Sequence, residues 1–106
     1  MQTYIFIYRN PGRYAPTPET SAEMKAWFDG MGERLVELGK PVVASDTVGS
    51  CSRDTAELNG YSIVRAESLA GAVAIAKECP HLSRNGGIEV GELGEVPPIN
   101  RLPAET

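Results

Sequence analysis

The stretch Ser68-Leu-Ala-Gly-Ala-Val-Ala-Ile-Ala-Lys-Glu-Cys-Pro-His-Leu-Ser-Arg-Asn-Gly-Gly-Ile-Glu-Val90 decides how the rest of the chain is read. Ser68 suits an N-cap, because its hydroxyl can accept from a backbone N–H that the first helical turn leaves unpaired. Leu69, Ala72, Val73, Ala76 and Cys79 recur at three- and four-residue spacing and predict one apolar helical face. Lys77 and Glu78 fall off that face. Pro80 cannot continue a helix and turns Cys79 away from helical geometry. Gly86-Gly87 punctuates the chain, and Ile88-Glu89-Val90 opens an alternating strand. The order is therefore helix, abrupt stop, irregular loop, strand.

Upstream, Tyr4 to Tyr8 is an unbroken run of aromatic and β-branched residues. It predicts a strand over Gln2 to Arg9, covered on both faces, ended by the turn Asn10-Pro11-Gly12, with a loop from Arg13 to Thr17. A helix follows from Pro18, capped by Thr17 or by a competing Thr20/Glu23 capping box. Met24, Trp27, Phe28, Met31, Leu35 and Leu38 carry it for four turns, with Gly39 as its terminal residue. Gly30 and Gly32 interrupt this helix at a cost of about 1 kcal/mol each relative to Ala. Asp46 to Arg53 alternates loosely and predicts a weak edge strand. Asp54 to Gly60 is turn-like, and Tyr61 to Ala66 is a strong strand. After the helix of the opening stretch comes a strand over Gly87 to Leu93.

This is the strand–helix–strand, strand–helix–strand order of an α+β, ferredoxin-like domain spanning residues 1–93, followed by a proline-containing tail over 94–106. Strands one and three should be central. Two helices cover one sheet face only, so the second face predicts a homodimer that packs sheet on sheet.

The chain has 106 residues, a net charge of −4 and 42% apolar residues, which suits one domain with one core. Acidic charge without a basic stripe argues against nucleic acid and anionic membranes as partners. No apolar run reaches membrane-spanning length. The first residues resemble a strand and not a secretion signal, and two cysteines are too few for a disulfide scaffold, so a cytoplasmic setting with both thiols unpaired is expected.

Tyr8-Arg-Asn-Pro11, Pro18-Glu19 through Trp27-Phe28, Gly60-Tyr-Ser-Ile63 before Glu67-Ser-Leu69, Ala76-Lys-Glu-Cys-Pro-His81 and Gly86-Gly-Ile-Glu-Val90 together resemble the YCII-related family, in its DGPF-type branch. The resemblance runs nearly to Leu93 and is most specific from the second helix to the last strand. It implies a dimeric α+β barrel. The Asp-Gly-Pro-Phe signature is absent; its place falls in Arg53 to Asn59. A related branch pairs an Asp before the proline with a His in the first helix. Here Cys79 stands before Pro80 and the first helix has no His, so that dyad does not carry over.

His81 is the only histidine. It follows a helix end where loops can line a cleft, and a neutral imidazole can act as general base near neutral pH; otherwise it is a polar cap on helix carbonyls. Tyr8, Arg9, Tyr61 and Arg65, with His81, are the candidates for binding a small anion or aromatic molecule, with Arg9 steadying negative charge. The competing reading makes Tyr8 and Tyr61 core aromatics and Arg65–Glu89 a cross-strand pair. Cys79 and His81 alone are too few for a metal site, and Cys79 at a helix C-terminus reads as a small buried hydrophobe. No metal or cofactor is expected. The leading expectation is a protein that binds a small organic ligand in a cleft beside the barrel. A lyase- or isomerase-type enzyme using His81 as base and a dimeric regulatory or interaction module are the alternatives.

Overall fold

In the computed structural model, which describes residues 1–12, 15–51 and 56–96, the elements follow directly from local sequence. The expected loop at 13–14, the expected strand end at 52–53, the turn residue Asp54 and the tail from Pro97 onward lie outside the described residues. Strand β1 spans Gln2–Asn10, with Tyr4, Phe6 and Tyr8 buried and Thr3, Ile5 and Ile7 half-buried on the opposite face. Helix α1 spans Pro18–Met31 with Thr17 as its N-cap. The Thr17 hydroxyl accepts from Thr20 N, and the Thr20 hydroxyl accepts from Thr17 N at 2.8 Å. Thr20, not Glu23, thus closes the capping box, and Glu23 is left to pair with Arg84.

Helix α1 is shorter than its apolar spacing predicts. Gly32 adopts φ 58 and starts a short 3-10 turn, Gly32–Arg34. Left-handed backbone is open to glycine without a Cβ penalty, so the helix breaks there and not at Gly39. Leu35 then enters strand β2, Leu35–Glu37, which pairs antiparallel with the edge of β3, Glu57–Ala66. Pro41 continues the contact through a bridge to Gly60. This edge of β3 is therefore taken by residues 35–41, and the strand expected from Asp46 does not form over 46–51. Gly49 sits at φ 85 and its serine neighbours bring no apolar surface to bury. Strand β3 in turn begins four residues before Tyr61, because Glu57 and Leu58 pair with Asn10 and Arg9 beyond a bulge at Tyr8/Arg9.

Ser68 caps helix α2, Leu69–Ala76, as its hydroxyl accepts from Gly71 N at 3.1 Å. The helix ends before Cys79, and Pro80 opens a 3-10 turn over Pro80–Arg84 in place of an irregular loop. The buried face of α2 is Ala72 and Ala76, with Cys79 beyond; Leu69 stays half exposed. Small residues let the helix lie close to the sheet. Strand β4 spans Gly87–Glu92 and pairs with the other edge of β1.

Among the described residues the fold is thus α+β, with two α-helices and a four-stranded antiparallel sheet ordered β2-β3-β1-β4. The first and third strands are central. The core lies on one sheet face, where Tyr4, Phe6, Tyr8 and Val64 meet Met31, Ala72 and Ala76, with Trp27, Phe28 and Ile75 packed alongside. Trp27 ties the two helices together by donating its indole N–H to the Ile75 carbonyl. Fully burying a side chain such as Phe6 contributes about 1.5–3 kcal/mol. The opposite face presents Ile5, Ile7, Tyr61 and Ile63, and both described α-helices pack their core residues against the other face. No described helix is long and apolar enough to cross a membrane.

Candidate functional site

The early end of α1 stands away from the sheet, and residues 38–41 return along β3. A cleft of about 580 Å³ opens between them. Met24, Phe28, Leu35 and Leu38 give it apolar walls; Asn10, Lys40, Asn59, His81 and Arg84 bring polar groups. That volume and mixture are what a small-molecule site requires.

Its inner end is a directed hydrogen-bond chain. The Tyr8 hydroxyl donates to Ser62 Oγ at 2.9 Å, and Ser62 donates onward to the Leu38 carbonyl at 2.6 Å. Ser62 is fully buried. Its hydroxyl is satisfied on both sides, which is the condition for a polar group to sit inside a core. Burial raises the Tyr8 phenol above its ordinary value, more than the Ser62 bond lowers it. Tyr8 therefore stays a neutral phenol at physiological pH.

His81 meets Tyr8 edge-on, with ring centroids 6.2 Å apart. Trp27 packs edge-on against Tyr8 and tilted against Phe28, which extends an aromatic wall from the core to the cleft. His81 Nε2 lies 3.2 Å from the Arg9 carbonyl oxygen. A carbonyl only accepts, so this bond puts a proton on Nε2. In the neutral ring Nδ1 is then the bare nitrogen, free to accept a proton or a hydrogen bond. Gly86 has no room for a β-carbon, which would overlap the imidazole. The ring is held by a carbonyl, a phenol edge and a glycine backbone.

The five site residues expected from the sequence separate into two groups. Tyr8 and His81 come together inside the cleft. Arg9 follows Tyr8 on the strand, so its side chain goes to the opposite sheet face and ion-pairs there with Glu89 at 3.2 Å. Only its carbonyl reaches His81. The expected Arg65–Glu89 pair does not form: Arg65 on β3 sits opposite Thr3, while Glu89 on β4 sits opposite Ile7, with β1 between them. Arg65 is exposed and remote from the cleft. Tyr61 borders the cleft but donates its hydroxyl to Glu37 at 2.9 Å, and that bond to a carboxylate raises its pKa.

Cys79 lies beneath this region, buried, with Sγ 3.8 Å from Met24 Sδ. Burial pushes its thiol up to about 11, so it packs as a neutral hydrophobe and not as a thiolate. Cys51 is exposed, and neither cysteine is paired. Among the described residues no three of His, Cys, Asp and Glu gather as a metal site.

Sequence reasoning missed Ser62, Lys40 and Phe28 as cleft residues. Ser62 carried a signal: it is polar at a register position shared with Val64, on the inward face of a strong strand. Lys40 carried none, because the turn that brings it to the cleft was expected to be a helix end. Neither a family model, nor a curated protein, nor a solved structure matches this chain significantly.

Proposed function

We propose that this protein binds a small organic molecule in the cleft between α1 and the sheet, with Tyr8 and His81 at its inner end. The observation that carries this reading is the combination of apolar walls with an inner end of fixed hydrogen-bonding polarity, inside a volume of about 580 Å³. A structural core would have filled that space. Ser21 on α1 borders the opening, and Ser21→Trp would fill it. A thermal-shift screen of small organic molecules should give hits with the wild type that vanish in a folded Ser21→Trp variant. Hits of unchanged affinity in that variant would remove the cleft from consideration.

A second reading, an enzyme of lyase or isomerase type, is favoured by one observation. The Nε2 bond to the Arg9 carbonyl leaves His81 Nδ1 as a base that could take a proton from a bound ligand. Arg9 has no part in it beyond that carbonyl.

The strand order supports a ferredoxin-like arrangement, and the apolar strip Ile5, Ile7 and Ile63 supports a homodimer packed through the open sheet face, as the resemblance to the YCII-related family implies. Two unpaired thiols fit a reducing, cytoplasmic setting.

A further inference from the structure

The charges around the cleft do not cancel. Lys25 is tied to Asp29 at 2.7 Å, and Arg84 is tied to Glu23 and to the Pro80 carbonyl. Lys40 lines the same cleft, and among the described residues it has no carboxylate within ion-pair distance. It is exposed, so it stands at the mouth. The inner end has the opposite character. Tyr8 has spent its proton on Ser62, and His81 has spent its Nε2 proton on Arg9; both residues line the cleft, and each keeps an acceptor that these bonds leave unused. One cation outside and two acceptors inside, separated by Met24, Phe28 and Leu38, form a template with a direction.

We propose that the cleft takes a singly charged organic acid with a flat apolar body and a hydroxyl at the end remote from the acid. Lys40 meets the carboxylate at the mouth, Phe28 and Met24 hold the body, and Tyr8 Oη and His81 Nδ1 accept from the hydroxyl within. This replaces Arg9, whose guanidinium is on the far side of the sheet, as the group that steadies negative charge. The inference rests on the cleft being the ligand site. An isolated ion pair at an exposed mouth is weak, so selectivity comes from satisfying both ends at once.

The test uses three naphthalene probes of matched shape in isothermal titration calorimetry at low salt: 6-hydroxy-2-naphthoate, 2-naphthoate and 2-naphthol. The wild type should bind the hydroxynaphthoate best, with either truncated probe weaker by about threefold or more. Lys40→Gln should weaken the two carboxylates by about threefold and leave 2-naphthol unchanged. Lys40→Arg should restore them, and Lys77→Gln, at the C-cap of α2 away from the cleft, should alter none. No measurable binding of hydroxynaphthoate to the wild type, or a Lys40→Gln effect that is equal on all three probes or absent, overturns the ligand class. Ser21→Trp separates this from failure of the cleft reading. If it abolishes binding while Lys40→Gln does nothing, the acid-anchored ligand class falls and the cleft reading stands; if it leaves all three affinities intact, the cleft itself is not the site.

Discussion

Gly86 and His81 are packed so closely that a β-carbon on Gly86 would overlap the imidazole ring. The same ring makes the Arg9 carbonyl contact and the edge contact to Tyr8. Gly86→Ala should therefore expel the ring and destabilise the fold by about 1–3 kcal/mol. His81→Ala should cost about 1 kcal/mol for the lost hydrogen bond and packing. The double variant removes the overlap with the ring but keeps the His81 carbonyl oxygen 2.6 Å from the new methyl, so it should recover only part of the summed loss, about 1 kcal/mol. Urea unfolding of the four proteins measures this coupling; strict additivity would mean that the two residues do not touch.

Tyr8 and Ser62 make a second coupled pair. Tyr8→Phe removes one donor and leaves Ser62 still bonded to Leu38, so a loss of about 1 kcal/mol is expected. Ser62→Ala strands both the buried phenol and the Leu38 carbonyl and should cost more, about 1–3 kcal/mol. Tyr8→Phe added to Ser62→Ala should recover part of that loss. Equal single losses with no recovery would mean that the chain has no direction.

Alkaline stability follows from Cys79. Burial raises its thiol from an ordinary 9.0 to about 11, so the folded state favours the neutral form. That contribution is complete below pH 9 and is lost as pH rises through 11, roughly 2–3 kcal/mol in all. Tyr8, also raised by burial, adds to the same decline above its ordinary 10.0. Melting temperature between pH 8 and 11 should fall less steeply for Cys79→Ala than for the wild type. In the native protein a thiol reagent should label Cys51 quickly and Cys79 only after unfolding.

The open sheet face predicts assembly. Ile5 lies directly across from Ile63, and Ile7 from Tyr61. If two copies bury this strip, light scattering at micromolar concentration should return a dimer mass. Ile5→Asp should shift it to a monomer, since burying an unpaired carboxylate at the interface is prohibitive. A wild-type monomer would exclude the sheet-on-sheet arrangement.

The strong local signals in the chain carried through. The Thr17-Pro18 start and the Ser68 cap form through contacts within a few residues, and both helices begin where their residues predicted; the run Tyr4 to Tyr8 lies in a strand as predicted. The sequence put Tyr8 and His81 in one candidate group with Arg9, Tyr61 and Arg65, without fixing which sheet end His81 faces. What the sequence left open was decided between segments far apart. The apolar spacing through Leu35 and Leu38 suits a helix, yet Gly32 turns the chain and Leu35 is claimed by β3, because a sheet edge offers hydrogen bonds that a glycine-interrupted helix cannot match. Arg9 is adjacent to Tyr8 in sequence but lies on the opposite side of the sheet, while Lys40, more than thirty positions away, lines the same cleft. Strand alternation and the path of one turn decide this, and neither is set until the strands have paired.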